Sequence, residues 1–176
     1  MSKCAILYKS KYGTTKQYAE WIAEMTGGDL FELPGVSVAA LAPYETVIIG
    51  GGLYAGGILG FSFFKRHFNS LKGKKIIIFS VGASFNTEAN KTAIIKSNLT
   101  GEMLNNVKYF HLRGGLNYPG MKPVDRFAMC CLKKIQERKP EAERDIETAG
   151  IIETYGKKVS FLDKNSLAPL LEAVRQ

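Results

Sequence analysis

The sequence predicts an α/β fold: a doubly wound, five-stranded parallel sheet with helices on both faces. Three observations point to it. Short apolar runs rich in β-branched and aromatic residues recur at 5–8, 46–49, 75–81 and 107–112. These runs are mostly continuous rather than alternating, as strands covered on both faces are, and helical patterns fall between them. Stretches rich in glycine and hydroxyl residues follow the runs, where an open α/β sheet places its ligands.

The elements follow in order. Residues 5–8 form the first strand, and 15–26 place Ala19, Ile22, Ala23 and Met25 at helical spacing. Residues 30–33 are a weaker strand, ended by Pro34-Gly35. Strands at 46–49 and 75–81 flank a helix at 61–71, and a helix over 87–104 leads to the strand at 107–112. Asn165 or Ser166 caps a last helix reaching Val174, with Pro169 confined to its first turn. This alternation of strand and helix gives one doubly wound sheet.

A chain of 176 residues forms one domain, 1–176, able to bury a core without disulfides; residues around 114–147 add a loop-helix segment. Hydrophobic content of 45% and charged content of 23% sit near globular averages, so a disordered chain is not expected. The net charge of +8 favours anionic partners or a solvated basic surface. Cys4, Cys130 and Cys131 are odd in number and form no C-x-x-C pattern, so free thiols in a reducing, cytoplasmic location are expected. The apolar run near the N-terminus is too short for a signal peptide. Residues 46–64 carry no charge, but six glycines interrupt them, which favours strand, glycine loop and helix over a membrane span.

The loops carry the chemistry. After the first strand, Ser10, Lys11, Tyr12, Gly13, Thr14 and Thr15 lead into a helix. Backbone N–H groups and hydroxyls converge there at a helix N-terminus, a setting for phosphate; a Ser/Thr-rich cap is the alternative. No Walker A loop is present. Residues 50–57 are read as a glycine loop whose Gly51, Gly52, Ala55 and Gly56 let a flat ligand approach, with Leu53 and with Tyr54 placed to stack on an aromatic ring. Its degenerate dinucleotide fingerprint is discounted, because the position for the ribose acid is basic. Val81, Gly82, Ala83, Ser84, Phe85 and Asn86 end the next strand, and Gly115 lies in the glycine loop after the last. His111 and His67 are read as structural, and no catalytic side chain is assigned.

The stretch ILYKSKYGTTKQYAEWIA resembles the opening of flavodoxin-family proteins, where a Ser/Thr-Gly-Thr loop holds the FMN phosphate. Ser10, Gly13 and Thr15 match that pattern, and Tyr12 departs from it. PYETVIIGGGLYAGG and SVGASFN are similar to the two loops that flank the flavin ring in that family. The resemblance implies a flavodoxin-like fold and FMN held by the loop residues named above, in an electron-transport protein or oxidoreductase. GGLNYPGMKPVDRFAMCCLKKI further resembles the menaquinone-dependent protoporphyrinogen dehydrogenase branch. That resemblance implies a quinone or porphyrin-type small molecule as the redox partner and a role in haem synthesis.

Within that segment Val124, Phe127, Ala128, Cys131, Leu132 and Ile135 form an amphipathic pattern, and residues 122–139 are strongly basic. Two placements are open: the apolar face packs on the sheet, or the helix lies on an anionic membrane. The run at 137–147 reads as a solvated loop. A non-redox binding module is a further alternative. Nucleic-acid binding is not expected, for want of an aromatic-basic or recognition-helix pattern.

Overall fold

A computed structural model describes residues 3–176. Strand β1 (Cys4–Lys9) is followed by α1 (Thr14–Thr26) and β2 (Asp29–Glu32). Strand β3 (Thr46–Tyr54) turns back through β4 (Gly57–Ile58) and leads to α2 (Phe61–Leu71), β5 (Lys75–Gly82), α3 (Glu88–Asn98), α4 (Gly101–Asn106) and β6 (Val107–Arg113). The extension then adds β7 (Gly115–Asn117), α5 (Pro123–Glu137), α6 (Ile146–Thr154) and β8 (Lys158–Ser160), before α7 (Ala168–Arg175).

The parallel strands lie in the order β2-β1-β3-β5-β6, and the two residues of β4 pair antiparallel with the end of β3. Successive strands are laid to one side of β1 and then, from β3 onward, to the other, so the ligand crevice of this topology opens at the carboxyl ends of β1 and β3. All five expected strands are present. β3 is central, and its first six residues are all buried, which accounts for its lack of alternation.

One core packs α2 and α3 on the sheet through Phe61, Phe64, Phe68, Leu71 and Ile94; the other packs α1 and α7 through Tyr18, Ile22, Leu167 and Leu170. α1 begins after Gly13 and ends at Gly27, both left-handed; the Gly27 N–H donates to the Ala23 carbonyl. The Tyr18 hydroxyl donates to the Arg113 carbonyl at 2.8 Å and accepts from the Asp163 N–H at 3.1 Å. That single group ties α1 to the end of β6 and to the chain leading into α7.

Three expectations need correction. Gly50, Gly51 and Gly52 are strand residues, not loop. A Cβ on Gly50 would lie 2.0 Å from the Phe79 ring, and one on Gly51 would lie 2.3 Å from the Leu59 carbonyl oxygen. These glycines admit neighbours to the strand rather than loosening it. The helix expected over 87–104 is broken, with Leu99 extended between α3 and α4. Asn98 is withdrawn to hold the β3–β4 turn, accepting from the Ile58 N–H at 3.0 Å and donating to the Gly56 carbonyl at 2.9 Å. The charge run at 137–147 is not wholly loop: Asp145 accepts from the Thr148 N–H at 2.8 Å and starts α6. Among the described residues no helix is long and apolar enough to cross a membrane.

Candidate functional site

At the carboxyl ends of β1, β3 and β5 lies a cavity of about 320 Å³, walled by Thr14, Thr15, Gly52, Leu53, Gly82 and Ala83 and roofed by the extension. A second cavity of about 510 Å³ shares Leu53, Gly82, Ala83, Leu116, Met129 and Leu132 with it, so the two adjoin. Both volumes lie in the usual range for small-molecule sites.

The first cavity is built on the turn that opens α1. Gly13 takes φ +93, and its N–H donates to the Ser10 hydroxyl oxygen at 3.0 Å. That conformation is open to glycine and strained for other residues. Thr14 and Thr15 then start the helix inside the cavity wall, where the N-terminal N–H groups and the helix dipole favour an anion. Gly52 faces this turn, and a Cβ there would lie 3.3 Å from the Thr15 hydroxyl oxygen. Gly114 packs as closely, since its Cβ would lie 2.8 Å from Val81 Cγ1 and 3.3 Å from the Thr14 hydroxyl oxygen.

The extension contributes Asp125. Its carboxylate meets Lys11 Nζ at 2.7 and 2.9 Å and accepts from the Tyr54 hydroxyl at 2.8 Å and from the Tyr12 hydroxyl. Lys11 Nζ also sits 3.9 Å from the centre of the Tyr54 ring. The Lys11 ammonium, then the Tyr12 hydroxyl, hold the Asp125 carboxyl down at about 2 despite its burial. Burial and the same carboxylate raise the Tyr12 hydroxyl, and the hydrogen bond to Asp125 raises Lys11. The site therefore carries a fixed ion pair at its edge.

A second carboxylate of the extension holds the other side. Glu147 of α6 accepts from the Phe85 N–H and from the Asn90 side-chain amide, both at 2.6 Å, fixing the turn after β5. Arg113 lies with its guanidinium 4.0 Å from the ring centres of both Phe85 and Phe161, at the wall of the larger cavity. Behind Gly82, buried His111 joins Ser80 at 2.9 Å and Ser84 at 3.1 Å, and Ser80 joins the Tyr109 hydroxyl at 2.6 Å. Burial pushes the His111 imidazole below its ordinary value.

The structure brings Lys11, Tyr12, Thr14, Thr15, Gly52, Leu53, Tyr54, Ala55, Val81, Gly82, Ala83 and Gly115 together on the smaller cavity, and Ser84 and Phe85 on the larger. Ser10, Gly13, Gly51, Gly56 and Asn86 lie outside both walls. Ser10 closes its own turn, and Gly13 and Gly56 supply left-handed turn conformations. Gly51 is sealed under Leu59, and Asn86 is exposed. Tyr54, expected to stack on a ligand, lines the smaller cavity, carries Lys11 over its ring and donates to Asp125. Sequence reasoning assigned no site role to Asp125, Glu147 or Arg113. For Asp125 a signal existed: it is the only acid between Glu102 and Glu137.

The Flavodoxin domain family matches residues 5–143. The chain belongs to the flavodoxin domain family. This flavodoxin-domain chain is 21% identical to the flavodoxin, WrbA-like protein of Agrobacterium tumefaciens over 61% of its own length and 76% of that chain, with a TM-score of 0.49. It is 16% identical to oxidised Flavodoxin 2 of Bacillus cereus, covering 88% and 95% of the two chains with a TM-score of 0.45. A flavoprotein in complex with FMN from Lactobacillus acidophilus NCFM is 17% identical, with 64% and 93% covered and a TM-score of 0.40. No curated protein matches the chain.

Proposed function

We propose that this flavodoxin-domain protein is an FMN-dependent redox protein. The reading is carried by one observation, the Thr14-Thr15 helix start opening into a cavity at the topological switch point of the sheet. The residues present fit such a ligand. Hydroxyls and helix-terminal N–H groups suit a phosphate, and glycines at 52, 82 and 114 leave bare backbone where a flat ring needs close approach. Bound FMN supplies the electron-transfer chemistry, while the chain supplies binding, orientation and electrostatics. Thr14, Thr15 and the first turn of α1 hold the phosphate. Leu53, Ala55, Gly82 and Ala83 line the ring's place. Asp125 and Glu147 fix the flanking loops from the extension and narrow water's access.

A visible absorption spectrum, taken after adding FMN and removing the excess, tests this. Flavin bands retained by the protein support it, and a colourless protein rejects it.

A second reading is favoured by the larger adjoining cavity: an oxidoreductase acting on a flat, largely apolar small molecule of quinone or porphyrin type. Phe85, Phe161, Met129 and Leu132 offer apolar walls, with Arg113 for an acidic substituent. Reoxidation of the reduced, FMN-loaded protein by menaquinone tests that reading, and failure of menaquinone with success of soluble acceptors returns it to a carrier.

A further inference from the structure

Helix α5 turns part of its apolar surface outward. At one residue per 100°, Val124, Phe127, Ala128, Cys131 and Ile135 fall with Lys134 and Arg138 on one side, within an arc of about 120°. Val124 is 73% exposed, Phe127 72% and Ile135 56%, whereas Asp125 on the opposite side is 6% exposed. Asp125, Met129 and Leu132 face the cleft. Of the two placements open to this helix, packing of the whole apolar face on the sheet is thus not adopted.

We propose that the outer face of α5 is a peripheral docking surface for an anionic lipid bilayer. The charges select this occupant. Residues 122–139 carry six cations and two acids. Asp125 is turned inward onto Lys11, and Glu137 is paired with Lys133 at 3.1 Å, so neither offers a free carboxylate at the outer face. An exposed Phe and two exposed aliphatic side chains beside Lys134 and Arg138 match the acyl-headgroup boundary of an anionic leaflet. Two copies meeting through this face would set Lys134 and Arg138 of each against a surface with no free acid to pair them, which opposes a dimer. Because the inner side of the helix lines the cleft, docking sets the cleft directly behind the membrane surface. The proposal does not depend on the identity of the cofactor.

The test is co-sedimentation of the full chain with phosphatidylcholine vesicles, with and without about one-third phosphatidylglycerol, beside sedimentation equilibrium without lipid. Binding to the mixed vesicles alone is expected, reversed by high salt. Phe127→Ser with Val124→Ser, and separately Lys134→Glu with Arg138→Glu, each lower the partition coefficient at least about tenfold. These side chains are exposed, and unchanged thermal melts confirm that the variants fold. No binding to mixed vesicles overturns the proposal, as does binding that both double variants retain. A dimer abolished by the Phe127 and Val124 changes, without vesicle binding, overturns it in favour of a second copy.

Discussion

Asp125 of α5 and Lys11 of the β1–α1 turn stand 114 residues apart in the chain, and the Lys11 ammonium lies 2.7 and 2.9 Å from the two oxygens of the Asp125 carboxylate. Through this pair the extension reaches across the mouth of the cleft and holds the turn that opens α1. The same carboxylate takes the hydroxyls of Tyr12 and Tyr54, so one side chain fixes the loops after β1 and β3 together.

Asp125→Asn separates the pair's two effects. Stability falls, because three donors lose an ionised acceptor, and Tm drops by about 3–6 °C. Anion affinity moves the other way, since Lys11 is released beside the phosphate turn and a negative charge leaves the wall. The FMN dissociation constant falls roughly fivefold at low salt. Differential scanning calorimetry and a fluorescence titration read the two effects separately.

Acid acts on the same contact. The Asp125 carboxyl is lowered from 3.8 to about 2, so its contribution is complete above about pH 4 and is lost as pH falls through about 2. The stability difference between the native chain and Asp125→Asn stays constant down to about pH 4 and then closes. Urea midpoints measured at successive pH values show it.

His111 titrates in the opposite chemical sense with the same direction of loss. Burial lowers it below 6.5, so the folded protein favours the neutral ring, and stability declines as pH falls below 6.5 toward its folded value. His111→Leu removes this pH dependence but takes a partner from Ser84 and one of two from Ser80, which keeps Tyr109, at a cost of about 1–3 kcal/mol at neutral pH. Denaturant unfolding between pH 5 and 8 distinguishes the slope from the offset.

Gly50 and Gly52 separate packing from binding. A methyl on Gly50 meets the Phe79 ring at 2.0 Å, so Gly50→Ala costs about 1–3 kcal/mol of stability. A methyl on Gly52 meets only the Thr15 hydroxyl, at 3.3 Å, and Leu59 Cδ1, at 3.7 Å. Gly52→Ala therefore leaves the melt nearly unchanged while weakening FMN binding about tenfold through Thr15. Paired melts and titrations of the two variants show the contrast.

The strands were legible because buried parallel strands declare themselves as continuous apolar runs; 75–81 differs from β5 only at its end. The turn at 10–15 was legible as the start of a helix, since a glycine among hydroxyl residues marks such a start. The role of residues 50–52 was not, because glycine looks alike in a loop and in a strand crossed closely by Phe79 and Leu59. Asp125 and Glu147 escaped for another reason. Their partners lie tens of residues away, and only tertiary structure shows which carboxylate faces inward. The amphipathic pattern of α5 was visible from sequence, but which side faced water depended on the Asp125 contact.

On the proposed reading, the turn leading into Thr14 and Thr15 holds the phosphate of a flavin mononucleotide. Fluorescence-quenching titrations of the full chain with FMN and with riboflavin, which differ only in that phosphate, test it most directly. FMN is predicted to bind at least about a hundredfold more tightly, with Thr15→Val removing most of the difference. Equal affinity for the two, or no quenching by either, would rule out a phosphate site at this turn.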